Sequence, residues 1–455
     1  MRARKTTTAM AVCVWLTSLT AMDGQANEIT PAPAPAGELV VNGAAATGTD
    51  GWSGYAAAGR ITVRRTDGRL PGSHALEVSA AGSPGAWAFA LAGLRTPESA
   101  FRVGQTYRMQ AWVRDVTGAG GTVGLLLANG SYAHRPTDVS VYADPAGDGW
   151  RLLTRTFVCT AAGAADTALY LALPSSGRFA FQVAGASVRA VEAPLPRTVS
   201  GAATRTIGFA GAAGARPDPA VWRPETGGNG WGNGELETYT ADPANAHIDG
   251  AGRLVITARR ETRTGSDGIT RDFTSARLSS QGRLTINPGS YVQAPIIAPV
   301  GDGVWPAFWL AGADIGQVGW PAAGELDVFE GWGAQPTIAH SAIHLGGRTD
   351  PQAHRQYGWD EPGGSNDLGA PLDSRAHLFG VYFDEHVARF YIDRRPTLTV
   401  WAEDASAAGS AWPFGRAQHL ILNVAVAGGD DAPGAGFPKS MIVGPIEEWT
   451  GGVPF

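Results

Sequence analysis

Three carboxylates stand close together in the run Glu325-Leu326-Asp327-Val328-Phe329-Glu330, at offsets that a β-strand could turn into chemistry. Strand side chains alternate faces, so Glu325 and Asp327 share one side. Glu330 lies at an odd offset and joins them only if the strand carries a one-residue bulge between Asp327 and Glu330. With that bulge, four effective strand steps separate the two glutamate Cα atoms by ~13 Å. Side chains leaning toward each other then leave roughly 5–6 Å between their carboxyls. At that separation one carboxylate can attack an anomeric carbon while the other, protonated, serves the leaving oxygen. Asp327 between them would orient Glu325 and crowd the charge enough to raise the acid's pKa.

Acids on a strand usually mean no more than a solvated face. Here Leu326, Val328 and Phe329 are strand formers, Gly324 and Gly331 bracket the run, and Trp320 and Trp332 flank it. Trp305 and Trp309 lie a short way upstream in Trp305-Pro306-Ala307-Phe308-Trp309. Sugar rings present apolar C–H faces that stack on indoles, although any one of these tryptophans could equally fill a core.

The elements that would position these groups are strands throughout. From 37 to 192 short alternating segments, such as Tyr107 to Arg114 and Ala168 to Leu173, are separated by glycine-rich turns. Helical periodicity is missing, which predicts a β-sandwich. A proline-containing stretch, 193–205, reads as a linker. From 206 to 455 the pattern is again all-β, with Arg253 to Ala258, Ala388 to Asp393 and His419 to Val424 as strands, and its length suits one large two-sheet sandwich.

Residues 1–26 read as a secretory signal peptide: Arg2, Arg4 and Lys5, then the apolar stretch Ala9 to Leu19, then Gly24-Gln25-Ala26. Residues 27–36, with Pro31, Pro33 and Pro35, form an extended spacer. The apolar stretch is too short for a membrane span, so a secreted, extracellular protein without membrane association is expected. The formal charge of −6 becomes −8 once Arg2, Arg4, Lys5 and Asp23 are removed, which argues against a nucleic-acid partner. Cys159 is the only thiol left after that removal and reads as a small buried apolar residue. Lys439 follows Pro438 and the only other lysine is Lys5, so no glycine-lysine phosphate loop exists. The motifs of zinc proteases and serine hydrolases are also missing.

Across roughly 206–450 the chain resembles glycoside hydrolase family 16, in its bacterial laminarinase-like endo-β-1,3-glucanase branch. The shared blocks are Trp231-Gly232-Asn233-Gly234-Glu235, Thr274-Ser275-Ala276-Arg277, Trp305 to Trp309, the bulged Glu325 to Glu330 motif, and Leu422-Asn423-Val424-Ala425-Val426. The resemblance implies a β-jelly-roll (concanavalin-like) fold with a sugar cleft. It assigns Glu325 as nucleophile, Asp327 as the assisting carboxylate and Glu330 as general acid/base. It also offers Asn233, Glu235, Arg277, Trp305, Trp309, Trp320, Trp332 and His344 as substrate-binding residues, with His377 in a structural role. The chain departs from the family at Ala376, Phe383, Gln293, Pro295 and Gly444. Gly444 stands where many members carry a calcium-binding aspartate, so no metal is expected, and no cofactor.

The first half resembles family 4/9-type carbohydrate-binding modules with a galactose-binding-like sandwich, and Trp52, Tyr55, Trp87 and Tyr132 are its candidate sugar platform. Together these readings imply a monomeric, secreted, retaining endo-β-glycanase that cuts internal β-1,3-glucosidic bonds of β-glucan. The alternatives are cleavage of another β-linked polymer, such as a bacterial exopolysaccharide or mixed-linkage glucan, and a non-catalytic glucan-binding protein.

Overall fold

The computed structural model describes residues 38–455 apart from 70–72, 96–99, 129–140, 144–148, 162–165, 192–194, 266, 360–362, 429–432 and 435. Residues 1–36, read above as leader and spacer, and Tyr132 therefore lie outside the described residues. The chain divides into two compact units, Met1–Ala193 and Pro194–Phe455. Among the described residues no helix is long and apolar enough to cross a membrane.

The first unit is a sandwich of two five-stranded antiparallel sheets. In spatial order one runs Trp52–Ala56, Ala88–Gly93, Ala168–Leu173, Val123–Ala128, Val141–Ala143. The other runs Ile61–Asp67, His74–Ala80, Phe179–Ala190, Thr106–Asp115, Arg151–Val158. Alternation sends Leu76, Val78, Met109, Val113, Phe181 and Leu171 into one core between them. Cys159 is buried there, and its thiol donates to the Ala161 carbonyl oxygen at 3.0 Å.

The second unit is a jelly-roll sandwich of an eleven-stranded and an eight-stranded sheet. The eight-stranded sheet runs Arg223–Glu225, Arg277–Ser279, Gln418–Val426, Val304–Gly312, Glu325–Gly331, Ile338–Leu345, Arg355–Gly358, with Ser365–Asp367 also paired to Ile338–Leu345. Strand parity decides which residues are core and which are site. In Gln418–Val426 the even residues Leu420, Leu422, Val424 and Val426 join the core, while His419, Ile421, Asn423 and Ala425 line a cavity on the opposite face. Phe329 from this sheet stacks on Phe379 from the other at 4.2 Å, a contact whose loss to alanine costs about 3–5 kcal/mol.

The stretch read as a linker is built into the second unit from Arg197 onward. Val199 donates its amide to the Val453 carbonyl, Val453 donates to that of Arg197, and Arg205–Ile207 pairs with Ile446–Thr450. The partner of Arg205–Ile207 is some 240 residues away and invisible to a local reading. Two departures from the family also turn out to be coupled. A Cβ on Gly444 would sit 2.6 Å from the ring of Pro295, so the glycine makes room for the proline. Gln293 accepts from the Tyr291 hydroxyl and donates to Glu447, which keeps its buried amide satisfied.

Candidate active site

The central strand Glu325–Gly331 carries the bulge. Against Val304–Gly312, Glu325 faces Ala311, Asp327 faces Trp309, Phe329 faces Phe308 and Glu330 faces Ala307, so Val328 is the extra residue. Against Ile338–Leu345, Glu325 faces His344 and Glu330 faces His340, with the same shift between Asp327 and Glu330. On both sides the partners of the two glutamates are four residues apart, an even number, and this returns Glu330 to the face of Glu325. Leu326, Val328 and Phe329 go to the core, and all three carboxyls line a cavity of about 330 Å³. Gly324 opens the strand at φ 81°, where a Cβ would meet Pro413 at 2.3 Å, so only glycine fits.

Each of the two glutamates has a specific donor. The indole N–H of Trp320 donates to Glu325 Oε2 at 3.1 Å, and that of Trp305 donates to Glu330 Oε1 at 2.9 Å. His344 Nε2 lies 3.0 Å from Asp327 Oδ2 and 3.8 Å from Glu325 Oε1. These contacts do not offset burial, and the carboxyls of Glu325, Asp327 and Glu330 are all pushed up to about 8. Loss of water is the first cause for each, and the charge of Asp327 then raises both glutamates. Acids so close together lose their protons in successive steps that belong to the cluster rather than to any one residue. One oxygen each from Glu325 and Asp327 and one His344 nitrogen lie within 4.8 Å of one another, close enough to hold a cation as well as the hydrogen.

Register extends the site across the sheet. One row reads Glu225, Arg277, Asn423, Ala307, Glu330, His340. Arg277 donates to Glu225 at 2.6 Å, and its guanidinium lies 4.7 Å from the Trp231 ring and 4.6 Å from the Trp309 ring. Each such cation–π contact is worth about 1–2 kcal/mol, so Arg277 locks both indoles in place. Trp309 donates to Asn423, Asn423 to the Tyr239 hydroxyl, and Tyr239 to Glu235, at 2.8, 3.1 and 2.8 Å. An indole can only donate, so this chain runs one way, from Trp309 to Glu235.

Of the eight candidate substrate-binding residues, Asn233, Glu235, Arg277, Trp305, Trp309 and Trp320 line the cavity. Trp332 and His344 do not line it and back it instead. Trp332 stacks behind Trp305 at 4.4 Å, and His344 stands behind Asp327. Asn233 and Glu235 engage each other at 3.2 Å, with Glu235 buried. His377 belongs to the other sheet, buried against Asp393. The three platform aromatics among the described residues do not share one face: Trp52 is in the first unit's core, while Tyr55 and Trp87 lie on the outer side with Phe89.

Sequence reasoning missed Glu225, Tyr239, Asn423, Glu237, His340 and His354 as site residues. Glu237 is fully buried beside Glu235, accepts from the Val426 amide at 2.6 Å, and is held well above the usual carboxyl range by burial and then by Glu235. Asn423 sat within a quoted motif, and its odd parity against Leu422 and Val424 was the available signal. The others depend on register across distant strands.

A jelly-roll sandwich carrying a desolvated carboxyl triad among indoles on the outer face of one sheet is a glycoside hydrolase. Residues 246–361 match the family model described as XgeA-like, catalytic GH16 domain. A beta-glucanase of Rhodothermus marinus is 33% identical over 222 residues, which are 47% of this chain and 71% of that protein. A glucan endo-1,3-beta-glucosidase of Cryptopygus antarcticus is 30% identical over 246 residues, 50% of this chain and 86% of the relative. Among solved structures, the laminarinase catalytic domain of Thermotoga maritima is 33% identical, covering 51% of this chain and 92% of that one at a TM-score of 0.46. The chain belongs to glycoside hydrolase family 16 and is laminarinase-like.

Proposed function

We propose that this glycoside hydrolase cuts internal β-1,3-glucosidic bonds of β-glucan by double displacement with retention, and is exported with residues 1–26 as its leader. The observation that carries the reading is the extra residue Val328, which brings Glu325 and Glu330 onto one face four pairing steps apart. In this mechanism Glu325 attacks the anomeric carbon while Glu330, protonated, gives its hydrogen to the departing oxygen. A glycosyl ester then joins the sugar to Glu325. Glu330, now ionised, takes a proton from water, which attacks the ester and frees Glu325. Asp327 stays ionisable beside Glu325 and steadies it.

The names of the relatives support β-1,3-glucan as the polymer, and the indoles at Trp305, Trp309 and Trp320 suit the flat faces of its rings. The sandwich of residues 38–191 would hold the enzyme on the polymer. Digestion of β-1,3-glucan, mixed-linkage glucan, agar and a bacterial exopolysaccharide, with products sized over time, tests the reading. Mixed oligomers from β-1,3-glucan at early times are expected. No product from that polymer, with cleavage of another in the panel, would replace the substrate, and no cleavage of any would favour a non-catalytic glucan-binding protein.

A further inference from the structure

His344 shows its two nitrogens to different neighbours. Nε2 faces Asp327 and Glu325, and Nδ1 lies 2.7 Å from Nε2 of His354, an exposed residue on the loop after Ile338–Leu345. The two imidazoles are nearly parallel, 12° apart with centroids at 4.9 Å. Trp320 closes the group, its ring 4.7 Å from His354 and its N–H on Glu325. Three rings thus cap the Glu325 end of the triad.

Counting protons fixes what this contact does. A neutral imidazole carries one hydrogen, and the 2.7 Å line between the two histidines holds one. If that hydrogen comes from His354 Nε2, then His344 Nδ1 accepts it and His344 Nε2 keeps a hydrogen for Asp327. If it comes from His344 Nδ1, the bare Nε2 lone pair faces two carboxyls, a repulsive contact whenever they are ionised. We propose that His354 is a positioning residue, which fixes the tautomer of His344 so that His344 donates to Asp327 and Asp327 in turn holds Glu325 for attack. The proposal rests on the reading of Glu325 as nucleophile.

The charged groups facing the pair are consistent with it. Glu325 and Asp327 come from the neighbouring strand with Glu330 farther along, Arg277 acts on Glu325 from across the cleft, and the loop carries Arg348 and Asp350, with Arg355 opening the next strand. Burial first of all keeps the His354 imidazole below its usual range, which favours its neutral form.

Two substitutions separate hydrogen bonding from ring packing. His354→Phe keeps a ring against Trp320 and His344 but has no N–H, whereas His354→Gln loses the ring and keeps an N–H donor. In the full-length enzyme acting on soluble β-1,3-glucan oligomers, His354→Phe should lower kcat about 10-fold with KM within about 2-fold and displace the acid limb of the pH profile, while His354→Gln restores most of both. Wild-type kcat and pH profile in His354→Phe, or equal damage in both variants, would overturn it. A readout free of activity comes from ¹⁵N-histidine labelling. Wild-type His344 Nδ1 should appear unprotonated at neutral pH and become a mixture in His354→Phe; a protonated Nδ1 in the wild type would end the proposal. Wild type and Glu325→Gln run beside the variants keep the two readings apart, because failure there removes the functional reading while the nitrogen shifts still decide the tautomer.

Discussion

The two units each carry a polar row across an antiparallel sheet, and the rows differ in how charge is matched. In the first unit Arg64, Glu77, Gln182 and Arg114 lie side by side on the outer face. Arg64 pairs with Glu77 at 2.7 Å, Arg114 donates to Gln182 at 2.7 Å, and Trp150 covers the Arg114 guanidinium. Every group there has a complementary neighbour. In the second unit the row starts the same way, with Glu225 on Arg277, and runs on to Glu330, which has an indole N–H and two further carboxyls for company. Matched rows stabilise modestly and carry no chemistry. A bulge that forces like charges into a dry cleft spends stability and yields protons that move near neutral pH.

Exchange of one carboxylate for an amide in each row is the sharpest way to break the comparison. Glu325→Gln and Glu330→Gln should each lower kcat/KM by roughly 10³-fold or more with the fold intact. Glu77→Gln should leave kcat/KM unchanged and shift stability by no more than about 1 kcal/mol, because Arg64 is well exposed. Comparable activity loss from Glu77→Gln would mean that the first row is not merely structural. Asp327→Asn should fall between these, losing about 10- to 100-fold, since it steadies Glu325 without reacting. A loss equal to that of Glu325→Gln would give Asp327 a direct part.

Crowding also predicts an opposite pH dependence from that of an ordinary paired acid. Carboxyls at about 8 in the folded chain ionise near 4 once unfolded, so the folded state holds protons that the unfolded state releases. Their contribution is fully present below about pH 4 and is lost as pH rises through about 8. The thermal midpoint of the wild type should therefore fall relative to Glu330→Gln across that window, with differential scanning calorimetry as the check. A wild-type midpoint that holds or rises relative to that of Glu330→Gln across the window would show that Glu330 is not raised. The smallest effect concerns the units themselves: a chain beginning at residue 194 should cleave short soluble oligomers like the full chain, whereas one beginning at 206 should melt lower, because it loses the Arg197–Val453 pairing. Equal melting of the two would return residues 197–205 to the status of linker.

The triad and its bulge were legible because both are local: the odd offset of Glu330 against apolar Val328 and Phe329 has one strand-compatible solution. Trp52 and Tyr55 show the same rule neglected, since a spacing of three places them on opposite faces and rules out a shared platform. Tyr239, Asn423 and His354 act through contacts set by strand order and loop return. No property of the residues themselves announces those neighbours.

The central claim is that Val328 sets Glu325 and Glu330 at the spacing for direct attack, and the anomeric configuration of the first product tests it most directly. Proton NMR during hydrolysis of a β-1,3-glucan oligomer should show the β-anomer first, with the α-anomer growing only by mutarotation. An α-anomer formed first would mean that water attacks in place of Glu325, and would contradict the account.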